Sequence, residues 1–141
     1  DMEWKIEYSV GDEELDRDHM TIFNAVDRVK KAQKNGFADD FISILLNQLL
    51  EYVDGHFTNE EDYMADISYP DLPAHRDRHV EMKAELVRLR NQFVHDSQSN
   101  LDELVPFLSD WWETHILVAD MAYKKYGEDK QEGQVAHPAL F

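Results

Sequence analysis

Apolar residues recur along this chain at helical spacing in four separate blocks, and five histidines fall on the same stripes as the leucines and valines. No segment alternates apolar and polar residues as a half-buried strand does. The first block carries Leu15, His19, Ile22, Val26 and Val29, with Asp12 placed to cap its start and Gly36 to stop it. The second runs from about Asp39 to Ala65 through Ile42, Leu45, Leu49, Val53, His56, Glu60 and Met64. The third gives Leu72, His75, His79, Met82, Leu86, Leu89 and Phe93, with Asp71 as its cap and Pro73 tolerated in the first turn. The fourth gives Leu101, Leu104, Leu108, Trp111, His115, Ala119 and Ala122 and ends near Tyr126-Gly127. Pro106 falls inside it and should kink the helix or delay its regular hydrogen bonding.

The connections, around Gly36, around Ser68-Tyr69-Pro70 and around Ser97-Gln98-Ser99, are short. Long amphipathic helices with short links predict an all-α, up-down-up-down four-helix bundle. The expected organisation is one domain over residues 1–127, an arm at 1–11 and the bundle at 12–127, followed by a loose tail at 128–141. The arm, with Trp4 and Tyr8, is expected to pack on the bundle.

Charge narrows the partners. The net charge of −16 repels nucleic acid and anionic membranes, so neither is expected as a partner. With no cysteine there is no disulfide, thiolate zinc site or cysteine nucleophile. No apolar run approaches the roughly 20 residues that span a bilayer. A cytoplasmic location is the expectation.

On a helix, residues four apart lie about 40° apart around the axis, so His56 and Glu60 point the same way, onto a core stripe. With alternating helix directions, His19, His56, His75, His79 and His115 all come to the same end of the bundle. Five imidazoles meeting at one level without a metal would leave buried polar atoms poorly paired, at about 1–3 kcal/mol each. Glu60 supplies one carboxylate and Asp120, five residues beyond His115, a second. The set is too large for one tetrahedral zinc and suits two metals bridged by carboxylates, roughly 3.5–4 Å apart in such sites. Imidazole-rich sites take iron, copper, nickel or zinc, and spacing does not choose among them. Residues five apart on a regular helix diverge by about 140°. His115 and Asp120 therefore share a site either by straddling it with extended side chains or across a π-bulge, which is the expectation here. His95 and His137 read as surface residues, and Asp16, Arg17, Asp18 and Arg76-Asp77-Arg78 as exposed helix faces. Glu61 reads as a solvated or supporting residue beside Glu60.

The set His19, His56-Phe57-x-x-Glu60-Glu61, His75-x3-His79 and His115-x4-Asp120, with Tyr123 three residues on and Trp4 and Tyr8-Ser9-Val10-Gly11 in the arm, resembles the hemerythrin family, specifically its bacterial branch. The resemblance covers roughly residues 1–127. It implies a non-haem di-iron centre that binds dioxygen reversibly, as a carrier, store or local supplier. It further implies that His75, His79 and His115 hold one iron and His19 and His56 the other. Glu60 and Asp120 would bridge them together with an oxo or hydroxo group, and the iron with two histidines would keep a position open for oxygen. Residues flanking that iron's ligands, Ile22, Phe57, Trp111 and Ile116, are then expected to line an apolar oxygen pocket. Two bridging carboxylates neutralise less charge than the carboxylate-rich sets of other di-iron bundles, which favours releasing oxygen over oxidising a substrate. No catalytic residue is nominated. A second reading, from another class, makes the chain the oxygen- or redox-sensing input of a larger signalling protein with a fused or separate protein partner. A third is peroxide or nitric oxide chemistry at the same centre, and a purely structural metal bundle ranks last.

Overall fold

A computed structural model describes residues 4–36, 39–95 and 97–136, apart from the side chains of 95–102, 116, 117 and 132–136. His95, Leu101 and Ile116, which the sequence reading singled out by side chain, and His137 thus fall outside what is described. The chain is an all-helical bundle: α1 (Glu13–Lys34), α2 (Asp39–Asp66), α3 (Leu72–His95) and α4 (Ser97–Thr114), the last continuing through a π-helical segment (His115–Asp120) into α5 (Met121–Ala136). The helices pack in a ring, α1 on α2, α2 on α3, α3 on α4 and α4 back on α1.

The helix ends follow local chemistry. Asp12 accepts a hydrogen bond from the Leu15 amide at 3.0 Å, satisfying one of the donors a helix start leaves unpaired. Gly36 ends α1 at φ 70°, the left-handed region that suits glycine. At the end of α2, Ser68 takes φ 57°. Backbone bonds from Ser68 to Ala65 and from Tyr69 to Met64 close that turn before Pro70.

Two expectations about the second half need correction. The stretch Ser97-Gln98-Ser99 is not a link but the first turn of α4; small polar residues suit a turn whose amides have no intrahelical acceptor. Pro106 lies within α4, exposed, and does not break it: the helix continues past it to Thr114. The last helix does not stop near Tyr126-Gly127 but runs to Ala136, so residues 128–136 are helical rather than loose. Gly127 is buried there, facing Tyr63 of α2 and Ile67 just beyond its end, and the helix runs on past it.

The arm packs as expected. Tyr8 stacks on Phe23 with ring centroids 5.1 Å apart, and Trp4 meets Phe23 edge-on at 5.8 Å. Asp16 clasps it, accepting from Ser9 Oγ at 2.5 Å and the Val10 amide at 2.8 Å, so this carboxylate has work beyond solvation. Below the arm, a continuous apolar core built on Ile22, Leu46, Leu49, Leu86 and Leu108 fills one end of the bundle. A smaller cluster of Val10, Leu15, Met64 and Tyr123 closes the other. Among the described residues, no helix is long and apolar enough to cross a membrane.

Candidate metal centre

Between the two clusters lies a layer that is polar and almost wholly buried: His19, His56, Glu60, His75, His79, His115 and Asp120. The donor atoms fall into two overlapping groups, within each of which every atom lies within 4.8 Å of the others. One group is Glu60, His75, His79, His115 and Asp120; the other is His19, His56, Glu60 and Asp120. Both carboxylates belong to both groups.

The two oxygens of each carboxylate divide accordingly. Glu60 Oε1 lies 2.9 Å from His79 Nε2, 3.1 Å from His75 Nε2 and 3.5 Å from His115 Nε2. Its Oε2 lies 3.0 Å from His56 Nε2 and 3.2 Å from His19 Nε2. Asp120 Oδ1 faces His115 Nε2 at 2.9 Å and His75 Nε2 at 3.2 Å, while Oδ2 faces His19 Nε2 at 3.1 Å. All five imidazoles therefore turn the same nitrogen inward.

These short distances are not a satisfied hydrogen-bond network. Both oxygens of Asp120 and Nε2 of His56 are buried without a hydrogen-bond partner, because the groups aim at common points and not along one another's donor directions. Leaving such atoms unpaired is expensive in a core, and a cation at each point would satisfy them. A five-imidazole, two-carboxylate donor set suits first-row transition metals. The residues present fit a pair of such ions.

The charges around the layer are strongly interdependent. Burial would lower the pKa of His19 and His115, but the facing carboxylates of Asp120 and Glu60 outweigh it and hold them at about 9 and about 10. Burial likewise works against ionising Glu60, yet His56, His115 and His19 hold its pKa well below the ordinary value. Asp120 is held low too, its burial and the nearby Glu60 charge being outweighed by His115 and His19.

The π-helical segment expected between His115 and Asp120 is present and spans both residues. Hydrogen bonds from i to i+5 bring residues five apart over one another, so both ligand-type side chains turn inward from one rod. The extra residue also slips the phase of everything after it. Among the described residues, the buried positions from the end of the segment onward are Asp120, Tyr123 and Gly127, whereas Ala122, which the sequence stripe placed in the core, is exposed and Ala119 only partly covered.

Of the expected oxygen-pocket residues, Ile22 is fully buried, one turn beyond His19. Phe57 lies over the ring of His79 and reaches His56 with centroids 6.0 Å apart. The ring neighbours of Trp111 among the described residues are Phe107 and Trp112. It is Trp112 whose ring meets ligand imidazoles: His19 at 5.4 Å, His56 at 5.6 Å and His115 at 5.9 Å.

Three further side chains touch the layer: Tyr123, which entered the sequence reading only through the family motif; Asp18, read as part of an exposed face; and Glu61, read as a solvated or supporting residue. Tyr123, fully buried, donates to Glu60 Oε2 at 3.1 Å; a buried tyrosine needs a partner for its hydroxyl, but the stripe traced through Ala119 and Ala122 left Tyr123 off the core. Asp18, assigned to an exposed face, instead lies 3.2 Å from His56 Nδ1. Glu61 lies 2.9 Å from His79 Nδ1. Both sit beside a ligand-type residue in sequence but point toward the neighbouring helix.

Comparison with known proteins agrees with this geometry. The profile of the hemerythrin HHE cation binding domain matches residues 10–126. A bacteriohemerythrin of Clostridium acetobutylicum is 30% identical over 125 residues, which cover 85% of this chain and 96% of that one. A hemerythrin-like protein of Naegleria gruberi is 26% identical over 121 residues, covering 86% and 89%. A myohemerythrin of Theromyzon tessulatum is 25% identical over 122 residues, covering 86% and 90%. The chain belongs to the hemerythrin family.

Proposed function

We propose that this chain binds dioxygen reversibly at two irons. The observation that carries the reading is the division of seven buried donors into a three-imidazole group and a two-imidazole group that share Glu60 and Asp120. His75, His79 and His115 would hold one iron, His19 and His56 the other, with the two carboxylates and an oxo or hydroxo group between them. Such a pair, when bound, would supply the two electrons that dioxygen takes up and recover them when dioxygen leaves.

The residues of the chain set the conditions for that exchange. The two-imidazole group offers fewer protein donors, so the open position belongs there. We extend the expected pocket of Ile22, Phe57, Trp111 and Ile116 to include Trp112, on the strength of its ring contacts with His19 and His56. An apolar lining admits a small neutral molecule, keeps water scarce and withholds protons from what is bound. Tyr123 holds Glu60 through Oε2, the oxygen turned toward His19 and His56.

The test is an absorption spectrum of the reduced, iron-loaded protein before air, in air and after oxygen is removed. Charge-transfer bands that appear in air and disappear on deoxygenation, with elemental analysis giving two irons per chain, are expected. Bands that never form, or that form once and do not reverse, would set the reading aside.

A further inference from the structure

The five imidazoles differ in what holds their outer nitrogens. His56 Nδ1 lies 3.2 Å from Asp18 Oδ2, and that oxygen also accepts from Asn59 Nδ2 at 3.1 Å. His79 Nδ1 lies 2.9 Å from Glu61 Oε2, while the other oxygen of Glu61 accepts from Arg76 Nε at 3.1 Å. His19 and His115 have buried Nδ1 atoms without a hydrogen-bond partner. One imidazole in each metal group is thus gripped from behind by a carboxylate that is itself anchored.

We propose that Asp18 and Glu61 are positioning residues, one for each metal: Asp18 acts on the two-imidazole ion through His56, and Glu61 on the three-imidazole ion through His79. The proposal rests on the two-metal reading above. A carboxylate accepting from Nδ1 places the proton there, leaves the Nε2 lone pair facing inward, and fixes the rotation of the ring. It also makes the imidazole a stronger donor to a metal.

The arrangement is a pair of cross-braces. Asp18 precedes the ligand-type His19 on α1 and reaches across to α2; Glu61 follows Glu60 on α2 and reaches across to α3. Each brace therefore ties together two helices that contribute donors, at the level where the donors meet. The grips are built differently. Glu61 uses separate oxygens for His79 and for the Arg76 guanidinium, whereas Asp18 uses one oxygen for His56 and a neutral amide. Both carboxylates are partly exposed, at 27% and 23%, so either can be replaced without opening a core cavity.

The experiment uses cobalt(II) as the probe, which needs no oxygen chemistry. The full chain is loaded with cobalt and its release into excess chelator is followed by the cobalt d–d absorption. The intact protein is expected to release two ions in two phases. Asp18→Ala should speed one phase by about 10- to 100-fold and Glu61→Ala the other, the range typical for removing such partners. Asn59→Ala and Arg76→Ala should each speed, by less, the same phase as the carboxylate they anchor. Asp54→Ala, which removes an exposed ion pair with Lys83, should change neither. If both carboxylate variants speed the same phase, or neither speeds any, the assignment is overturned. Equal acceleration of both phases by either single variant also overturns it, since general loosening of the bundle would give that result. A wild-type chain that takes up one cobalt or none condemns the two-metal reading instead.

Discussion

Phe57 and His79 stack face to face, their ring centroids 3.8 Å apart and their planes 4° from parallel. Phe57 follows His56 in sequence and comes from α2, while His79 stands on α3, so one aromatic ring backs a ligand-type residue of the next helix. Phe57→Ala should destabilise the protein by about 3–5 kcal/mol, the usual cost of truncating a buried phenylalanine. The same change frees His79 to turn, so the metal of the three-imidazole group should be lost more readily than in Phe57→Leu. Urea unfolding and metal content after dialysis against a weak chelator check the two parts. Equal metal retention in both variants would mean that the stack does not hold the ring.

Removing the metals leaves two fully buried carboxylates and five imidazoles facing one another. Free energy of metal binding is then no longer available to the fold. The metal-free protein should melt well below the loaded one. Helix α1 should loosen first, because it brings a single donor, His19, to the layer. Amide hydrogen exchange resolves this: protection should fall more in α1 than in α2 or α3 when metal is removed. A uniform loss would contradict it.

The pH dependence of the metal-free protein follows from the same charges. His19 and His115 are held at about 9 and about 10, above the ordinary 6.5, so their contribution is complete below pH 6.5 and is lost as pH rises through 9 and 10. Glu60 and Asp120 are depressed from 4.5 and 3.8, so theirs is present above those values and lost as pH falls below them. The metal-free protein should be most stable between about pH 4.5 and 6.5 and decline toward pH 10. In the loaded protein metal replaces the protons, and that alkaline decline should vanish. Urea midpoints against pH for both forms decide the matter.

Deleting Val118, an exposed residue in the middle of the π-helical segment, should remove the bulge without removing the site. Residues five apart across a π turn are placed much as residues four apart are in an α-helix. After the deletion, His115 and the old Asp120 still face inward, and Tyr123 keeps its phase. Metal content should stay at its original level. Deleting Val105 from the regular part of α4 should instead turn all that follows by about 100° and abolish metal binding. Loss of metal in both deletions would show that the bulge itself shapes the site.

The four stripes of apolar residues were enough to read the bundle, and the histidines on them were enough to read a polar layer at one end. The same method failed where its single period failed. Tracing steps of three and four through His115 led to Ala119 and Ala122, one residue out of phase with the buried Asp120 and Tyr123. The expected bulge was inferred from the five-residue gap between two chemical groups, and its effect on the later stripe was not carried through. Asp18 was missed, and the supporting role of Glu61 was left without a named partner, for another reason. They sit off the core stripe of their own helices, and only the placement of the neighbouring helix gives them a partner. The end read near Tyr126-Gly127 fell short because a sequence alone does not distinguish a glycine that ends a helix from one the helix passes through.

The first helix shows His19 to the centre from behind Trp4, a ring that is not part of the bundle. Trp4 lies 6.5 Å from the His19 ring and rests on Phe23, and the segment that carries it is fastened by Asp16. A protein trimmed to begin at Asp12 would keep every bundle helix and all seven inward donors. It would nevertheless have lost the roof over the donor that α1 supplies. The family match starts at residue 10, yet the smallest unit that encloses its own chemistry reaches back at least to Trp4.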